Sequence, residues 1–254
     1  MLSILAFIYG ISLGSFVQVI ASRLHVAPIL KGRSKCLSCG ETLRVSDLVP
    51  IFSYLFLKGK CRYCKSFYGV STLVVEVLFG ITFLLIYKCI LVGQPTLLLS
   101  FIWLVFYSAL CITLGVMGLY DRTHSYIPTS FLATFLALCG VMFCRRLFED
   151  PSITTLLSPL FVALPFLLIW IISKGKALGF GDVILFFGVG AFFGSLQGFA
   201  VLMISVWLGA LYGLYIKYVV TKKKNGYTAI PFVPFIVFAF LIVLFTGVDI
   251  FFLR

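Results

Sequence analysis

The chain has 254 residues, of which 62% are hydrophobic, 17% aromatic and only 11% charged. A water-soluble domain carries roughly 45–50% apolar and ~25% charged residues, so this composition excludes one and places the chain in a bilayer. A formal net charge of +12 would point to nucleic acid only if the basic residues formed one face of a soluble fold, and here they follow the connections between apolar runs.

A helical span needs about 20 apolar residues, and on that measure the sequence predicts an all-α polytopic membrane protein with about eight transmembrane helices. The first covers residues 2–22. It opens Met-Leu-Ser-Ile-Leu with no early Lys or Arg, which favours a retained span over a removable signal. The others are expected near 72–92, 96–119, 127–144, 153–173, 178–197, 199–219 and 230–252. The 34 residues between Asp182 and Lys217 carry no charge and exceed one span, which places a hairpin at Gly194–Gly198. Three regions follow: 1–22 as a first helix, 23–71 as the one sizeable polar segment, and 72–254 as a helical bundle. No tandem repeat or low-complexity tract is evident.

An even number of spans puts both termini on one side. Of the 20 Lys and Arg, all but Lys88, Arg145, Arg146 and Arg254 fall on connections of the opposite side, among them Lys222–Lys224. The basic side is cytoplasmic by the positive-inside rule, so both termini are expected outside and residues 23–71 inside.

Within that segment, Cys36-Leu-Ser-Cys39 and Cys61-Arg-Tyr-Cys64 are two pairs separated by 21 residues. This is close to zinc-ribbon spacing, in which each pair gives two thiolates to a tetrahedral ion. A reducing compartment disfavours disulfides, and a loop of ~50 residues needs a staple. A structural Zn2+ held by Cys36, Cys39, Cys61 and Cys64 is expected, with no open ligand position and therefore no chemistry. Cys89, Cys111, Cys139 and Cys144 lie singly in or beside spans and read as packing. The basic residues of the loop, Arg62 and Lys65 included, are assigned to anionic lipid headgroups rather than to nucleic acid.

Only eight Asp and Glu occur, and an ionised side chain in a span costs ~2.5–3.5 kcal/mol even on the lenient insertion scale. Asp121 in Gly-Leu-Tyr-Asp-Arg-Thr ends the third span, and Asp182 in Gly-Phe-Gly-Asp-Val begins the sixth. The topology puts both at the cytoplasmic face. Two carboxyls brought together share one proton and titrate as a pair, the arrangement of an aspartic protease. Gly179 and Gly181 leave backbone on which a substrate strand can lie close to Asp182. Glu76, one turn into the second span, either pairs with a basic loop residue or serves a second activity. His25 is isolated, and His124 is either an orienting or an interfacial residue. Glu149, Asp150 and Asp249 read as solvated charges on the outer side. The Gly10/Gly14, Gly190/Gly194 and Gly209/Gly213 spacings suit close helix packing.

Along nearly its whole length the chain resembles the bacterial type IV prepilin peptidase family, also called prepilin leader peptidase/N-methyltransferase. The resemblance rests on Gly-Ser-Phe-Val-Gln-Val-Ile-Ala-Ser-Arg at Gly14–Arg23, the two cysteine pairs, the stretch Ser46–Cys64, and Val-Val-Glu at Glu76. It continues with Tyr-Asp-Arg-Thr-His-Ser-Tyr-Ile-Pro at Tyr120–Pro128, Gly-Phe-Gly-Asp-Val at Gly179–Val183 and Ile-Pro-Phe-Val-Pro-Phe at Ile230–Phe235. Gln18, Thr129 and Ile184 stand where the family usually has Asn, often Asp and often Lys. The resemblance implies an aspartic endopeptidase that removes a short basic leader, after Gly, from prepilin or pseudopilin precursors at the cytoplasmic face. It also implies methylation of the new N-terminal residue from S-adenosylmethionine, with Gly59 and Glu76 as candidate cofactor-binding residues. A presenilin-like intramembrane protease shares the two Asp motifs but lacks the cysteine loop. A proton-coupled transporter would carry its acids deep in its spans, whereas these sit at one face.

Overall fold

Inside lipid every backbone N–H and C=O must find its partner along its own segment, so the apolar runs fold as helices. The computed structural model describes residues 1–26, 28, 32–36, 38–176, 178–220 and 231–247. Lys222–Lys224, Ile230, Asp249 and Arg254, used above for topology and motif, lie outside the described residues. Among the described residues, six helices are long and apolar enough to cross a membrane: α1 (Leu2–Arg23), α3 (Ser71–Ile86, continued as a π-turn to Leu91), α4 (Leu97–His124), α5 (Thr129–Glu149), α6 (Ile153–Ser173) and α8 (Ser195–Tyr215). Two shorter apolar helices, α7 (Phe180–Phe193) and α9 (Val233–Thr246), stand where two further spans are expected, and α2 (Phe52–Leu57) is a short turn of helix within the polar segment. The chain divides into two compact units, Met1–Val116 and Met117–Arg254.

In the first unit α1 and α3 cross at glycines. A Cβ on Gly10 would lie 2.5 Å from the Phe79 carbonyl oxygen, and one on Gly80 would lie 2.6 Å from the Phe7 ring. Small residues let the two backbones approach until dispersion between them replaces contact with lipid. The Gly10/Gly14 spacing thus packs as expected. Tyr9 stands edge-on to Phe83 at 5.2 Å between centroids, and its hydroxyl meets Ser108 Oγ of α4 at 3.0 Å.

The second unit is built around α7, whose residues Val183, Leu185, Phe186, Val189, Ala191 and Phe192 are all buried. A helix apolar all round is a buried one. Its glycines admit its neighbours: a Cβ on Gly188 would meet Phe135 of α5 at 2.6 Å, and one on Gly190 the Ser158 carbonyl of α6 at 2.7 Å. At 1.5 Å per residue, 14 residues cover about 21 Å against a hydrocarbon core of about 30 Å. Beside helices long enough to cross, at least one end of α7 therefore lies within the apolar layer. The expected hairpin is tighter than the sequence suggests. Gly194 alone connects α7 to α8, at φ +86°, with the Arg146 guanidinium against it, and Gly198 lies inside α8. Gly194 is thus a corner residue rather than half of a helix-packing pair.

Gly10→Leu is expected to lower stability by about 2–3 kcal/mol, because the obstructing atom is backbone and cannot yield. Gly140→Ala, where nothing lies within 4 Å, is expected to leave the thermal midpoint unchanged or slightly raised. Differential scanning fluorimetry of the solubilised protein checks the pair.

Candidate active site and metal centre

Asp121 stands one turn before the end of α4, where Ser125 at φ 52° stops the helix and returns its N–H to the Asp121 carbonyl at 2.8 Å. A negative charge at the carboxyl end of a helix opposes the helix dipole, and Asp121 is only 7% exposed. Its compensation comes from α9. The Val233 N–H donates to Asp121 Oδ2 at 3.1 Å, and Val233 is the first residue of α9. That amide is one of the donors a helix start leaves without an intrahelical acceptor.

Asp182 occupies the first turn of α7, with Gly179 as N-cap, a position where the dipole favours an acid. It is half-buried, and its Oδ2 turns back to within 3.6 Å of where a Cβ on Gly179 would sit. A Cβ on Gly181 would lie 3.1 Å from Ile127 Cδ1. The glycine expected to clear room for a substrate thus makes room for the protein's own Ile127, and the two Asp-bearing stretches pack on one another. Gly179 is exposed.

Around them, Phe166 stacks on Phe186 at 4.3 Å and on Phe232 at 5.7 Å, tying α6 and α7 to the residue that precedes α9. His124 stacks on Tyr120 at 4.2 Å, with an interplanar angle of 18°, and its Nδ1 meets Thr123 Oγ1 at 2.7 Å. Both partners belong to its own helix. The amide of Val233 is the functional group that motif reading misses, although Pro231 and Pro234 flanking it are a helix-start signal.

The four cysteines of the polar segment come together, with every Sγ within 4.8 Å of the others. At 2.3 Å per metal–sulfur bond, tetrahedral thiolates stand about 3.8 Å apart. Cys36 and Cys64 are 3.8 Å apart, so the set fits a tetrahedral ion. The scaffold is a repeat that the sequence conceals. Lys35 bridges Thr42 as Lys60 bridges Phe67. The Cys36 N–H donates to the Glu41 carbonyl as the Cys61 N–H donates to that of Ser66, each at 2.9 Å. Gly40 and Lys65, each following the second cysteine of its pair, both adopt positive φ. In the first knuckle the tight turn aims backbone N–H groups at sulfur, and the amides of Cys39 and then Ser38 bring the Cys36 thiol down to about 6.

Arg62, assigned above to headgroups, is instead engaged by Asp47. Its Nη2 and Nε donate to Asp47 Oδ1 at 2.6 and 2.9 Å, while the Arg44 N–H donates to Oδ2 at 3.2 Å. The guanidinium holds the Asp47 carboxyl below its ordinary value. Glu76 is 4% exposed and takes the Ile51 N–H at 2.7 Å, so its loop partner is a backbone amide rather than a basic side chain. Gly59 has φ +69°, and a Cβ there would meet the Tyr54 ring at 2.9 Å.

Residues 8–90 match the bacterial peptidase A24 N-terminal domain and residues 108–214 the type IV leader peptidase family. The chain is 34% identical over 245 residues to a prepilin leader peptidase/N-methyltransferase of Bacillus subtilis (strain 168), covering 92% of this chain and 90% of that one. It is 28% identical over 265 residues to the type 4 prepilin-like proteins leader peptide-processing enzyme of Escherichia coli O78:H11, covering 91% and 89%. A prepilin leader peptidase/N-methyltransferase of Pseudomonas aeruginosa is 27% identical over 221 residues, covering 84% and 71%. No solved structure matches.

Protein purified without chelator is expected to carry about one metal ion per chain. Cys61→Ser, which removes the buried ligand (4% exposed), is expected to lose it, as elemental analysis will show.

Proposed function

The chain belongs to the type IV leader peptidase family, and we propose that it removes the short basic leader of prepilin or pseudopilin precursors, using Asp121 and Asp182 as an aspartic dyad. The observation that carries this reading is that a buried and a half-buried carboxyl stand in one unit of an apolar chain, at the end of α4 and the start of α7, on stretches that pack on one another where Gly181 meets Ile127. In this mechanism one carboxylate takes a proton from water as the water adds to the scissile carbonyl. The other carboxyl, protonated, donates to the carbonyl oxygen. Collapse of the tetrahedral intermediate returns a proton to the leaving amine, and the dyad is restored. The Val233 amide supports a specific part for Asp121: a hydrogen bond to Oδ2 from the start of α9 holds the carboxyl in one orientation.

We assign the site to the cytoplasmic face of the bacterial inner membrane, with both termini outside, on the charge asymmetry of the connections. Residues 23–71 form the metal-binding segment, with Zn2+ as the ion that tetrahedral thiolates favour. Held by Cys36, Cys39, Cys61 and Cys64, it would fasten the two knuckles and leave no open position for catalysis. N-methylation of the new N-terminal residue is extended to this chain from the family, with S-adenosylmethionine as the methyl donor. The two residues suggested for that cofactor do not fit as its direct ligands: Glu76 is buried on Ile51, and Gly59 is buried under Tyr54. Their part is to shape the loop, and no methyl-transfer step is routed through them.

Co-expression of a prepilin precursor with the wild type, Asp121→Asn and Asp182→Asn, followed by mass spectrometry of the pilin N-terminus, tests the dyad. Loss of either carboxyl is expected to reduce processing by at least about 1,000-fold, and a variant that processes like wild type would exclude the aspartic mechanism. A further gain of about 14 Da on the mature chain, one methylene, is the signature of the second activity.

A further inference from the structure

Outside the spans, the segment around α2 leaves large apolar side chains uncovered: Val45 is 74% exposed, Phe52 58%, Leu55 60% and Phe56 82%. Phe52, Leu55 and Phe56 stand at i, i+3 and i+4, the spacing of a single helix face. A cleft of about 300 Å³ opens beside them, with Val49, Phe52, Phe56 and Leu57 among its walls. Such a face in water would favour association, and its position gives it another partner.

That position is set by Ile51, whose N–H reaches Glu76 Oε2 at 2.7 Å. Glu76 lies within the span that begins at Ser71, and at 1.5 Å per residue it stands about 7.5 Å along the helix from that start. The Pro50–Phe52 turn is therefore drawn down to the mouth of a span, and α2 leaves from there. Holding it has a cost. Ile51 is β-branched yet sits at φ 62°, ψ −54°, a strained backbone that persists only where the surroundings impose it. Directly after α2 come Lys58 and Lys60, both exposed. An apolar helix face at the level of the acyl boundary with lysines beside it is the pattern of an interfacial membrane segment, and lysines there are drawn to anionic headgroups.

We propose that α2 is an interfacial insert: Phe52, Leu55 and Phe56 enter the acyl boundary of the leaflet around the α3 start, Lys58 and Lys60 meet anionic phospholipid headgroups, and Glu76 anchors the turn at depth through Ile51. The partner is the lipid surface itself. The insert would fix the height of the cysteine knuckles above the bilayer, and it stands independently of the dyad.

The test uses the full chain with Trp103, Trp170 and Trp207 replaced by Phe and a single reporter, Phe56→Trp, in nanodiscs of phosphatidylcholine and phosphatidylglycerol with brominated acyl chains. Its emission is expected to fall to about half of that in unbrominated lipid, as for a ring at the acyl boundary. Ser38→Trp, between the cysteines of the first knuckle, is expected to be quenched far less. Unchanged metal content confirms that each variant is folded. Equal quenching at the two positions overturns the insert, and quenching of Phe56→Trp that is indifferent to phosphatidylglycerol overturns the headgroup contact. If bromolipid leaves Phe56→Trp unquenched and only an added prepilin precursor shields it, the face is a substrate-docking surface and the lipid assignment falls.

Discussion

The constraint on which the second unit turns is a buried carboxylate at the wrong end of its helix. Asp121 stands in the last turn of α4 with little access to water, where its own helix dipole repels it, and it is held there by the free amide at the start of α9. The two helices satisfy each other. α4 brings an acceptor that nothing in its own turn can serve, and α9 brings a donor that its own backbone cannot use. Around this bond the glycines of α7 let α5 and α6 close in, and Phe232 joins the Phe166–Phe186 stack. A peptide-cleaving dyad needs its carboxyls fixed to within a fraction of an ångström, and a backbone amide on a buried helix is a rigid means of fixing one.

The same device recurs in the first unit. Among the described residues the buried acids are Asp47, Glu76 and Asp121, and each accepts a main-chain N–H: from Arg44, Ile51 and Val233 respectively. In a chain with so few acids, a backbone amide satisfies a carboxylate without burying a second side-chain charge, whereas a buried ion pair must desolvate two. Only Asp47 of these three has an additional cation, Arg62, and it lies outside the spans beside the cysteine cluster. Glu76 thereby acquires a structural task, holding a strained turn, where the sequence suggested a basic partner or a second activity.

Much of this architecture was legible in the sequence, because the signals that carry it are local. Apolar run length marks the spans, the cysteine pairs mark the four-thiol cluster, and the motifs mark Asp121 and Asp182, which the structure places at the end of α4 and the start of α7. What escaped depends on pairings between residues far apart in the chain. No periodicity tells Asp121 that Val233 will cap it across 112 positions, though Pro231 and Pro234 mark the helix start. The knuckle repeat escaped because its correspondence lies in hydrogen bonds and turn conformations shared by dissimilar residues such as Gly40 and Lys65. Arg62 read as a headgroup ligand by composition alone, since its acidic partner lies 15 residues away within a loop. Gly194 serves as a corner rather than a packing glycine because only the fold shows where α7 stops.

The central claim is that the α9 amide positions Asp121 for peptide cleavage. Its most direct test is to replace Val233 by the corresponding α-hydroxy acid, which turns one amide into an ester and deletes one N–H while keeping every side chain. With a prepilin precursor as substrate, kcat is expected to fall by about ten- to hundredfold, the worth of one hydrogen bond to a charged group, with KM unchanged and the thermal midpoint lowered by a few degrees but still well above the assay temperature. An ester variant with unaltered kcat would contradict it, as would one whose kcat falls only in step with a loss of folded protein.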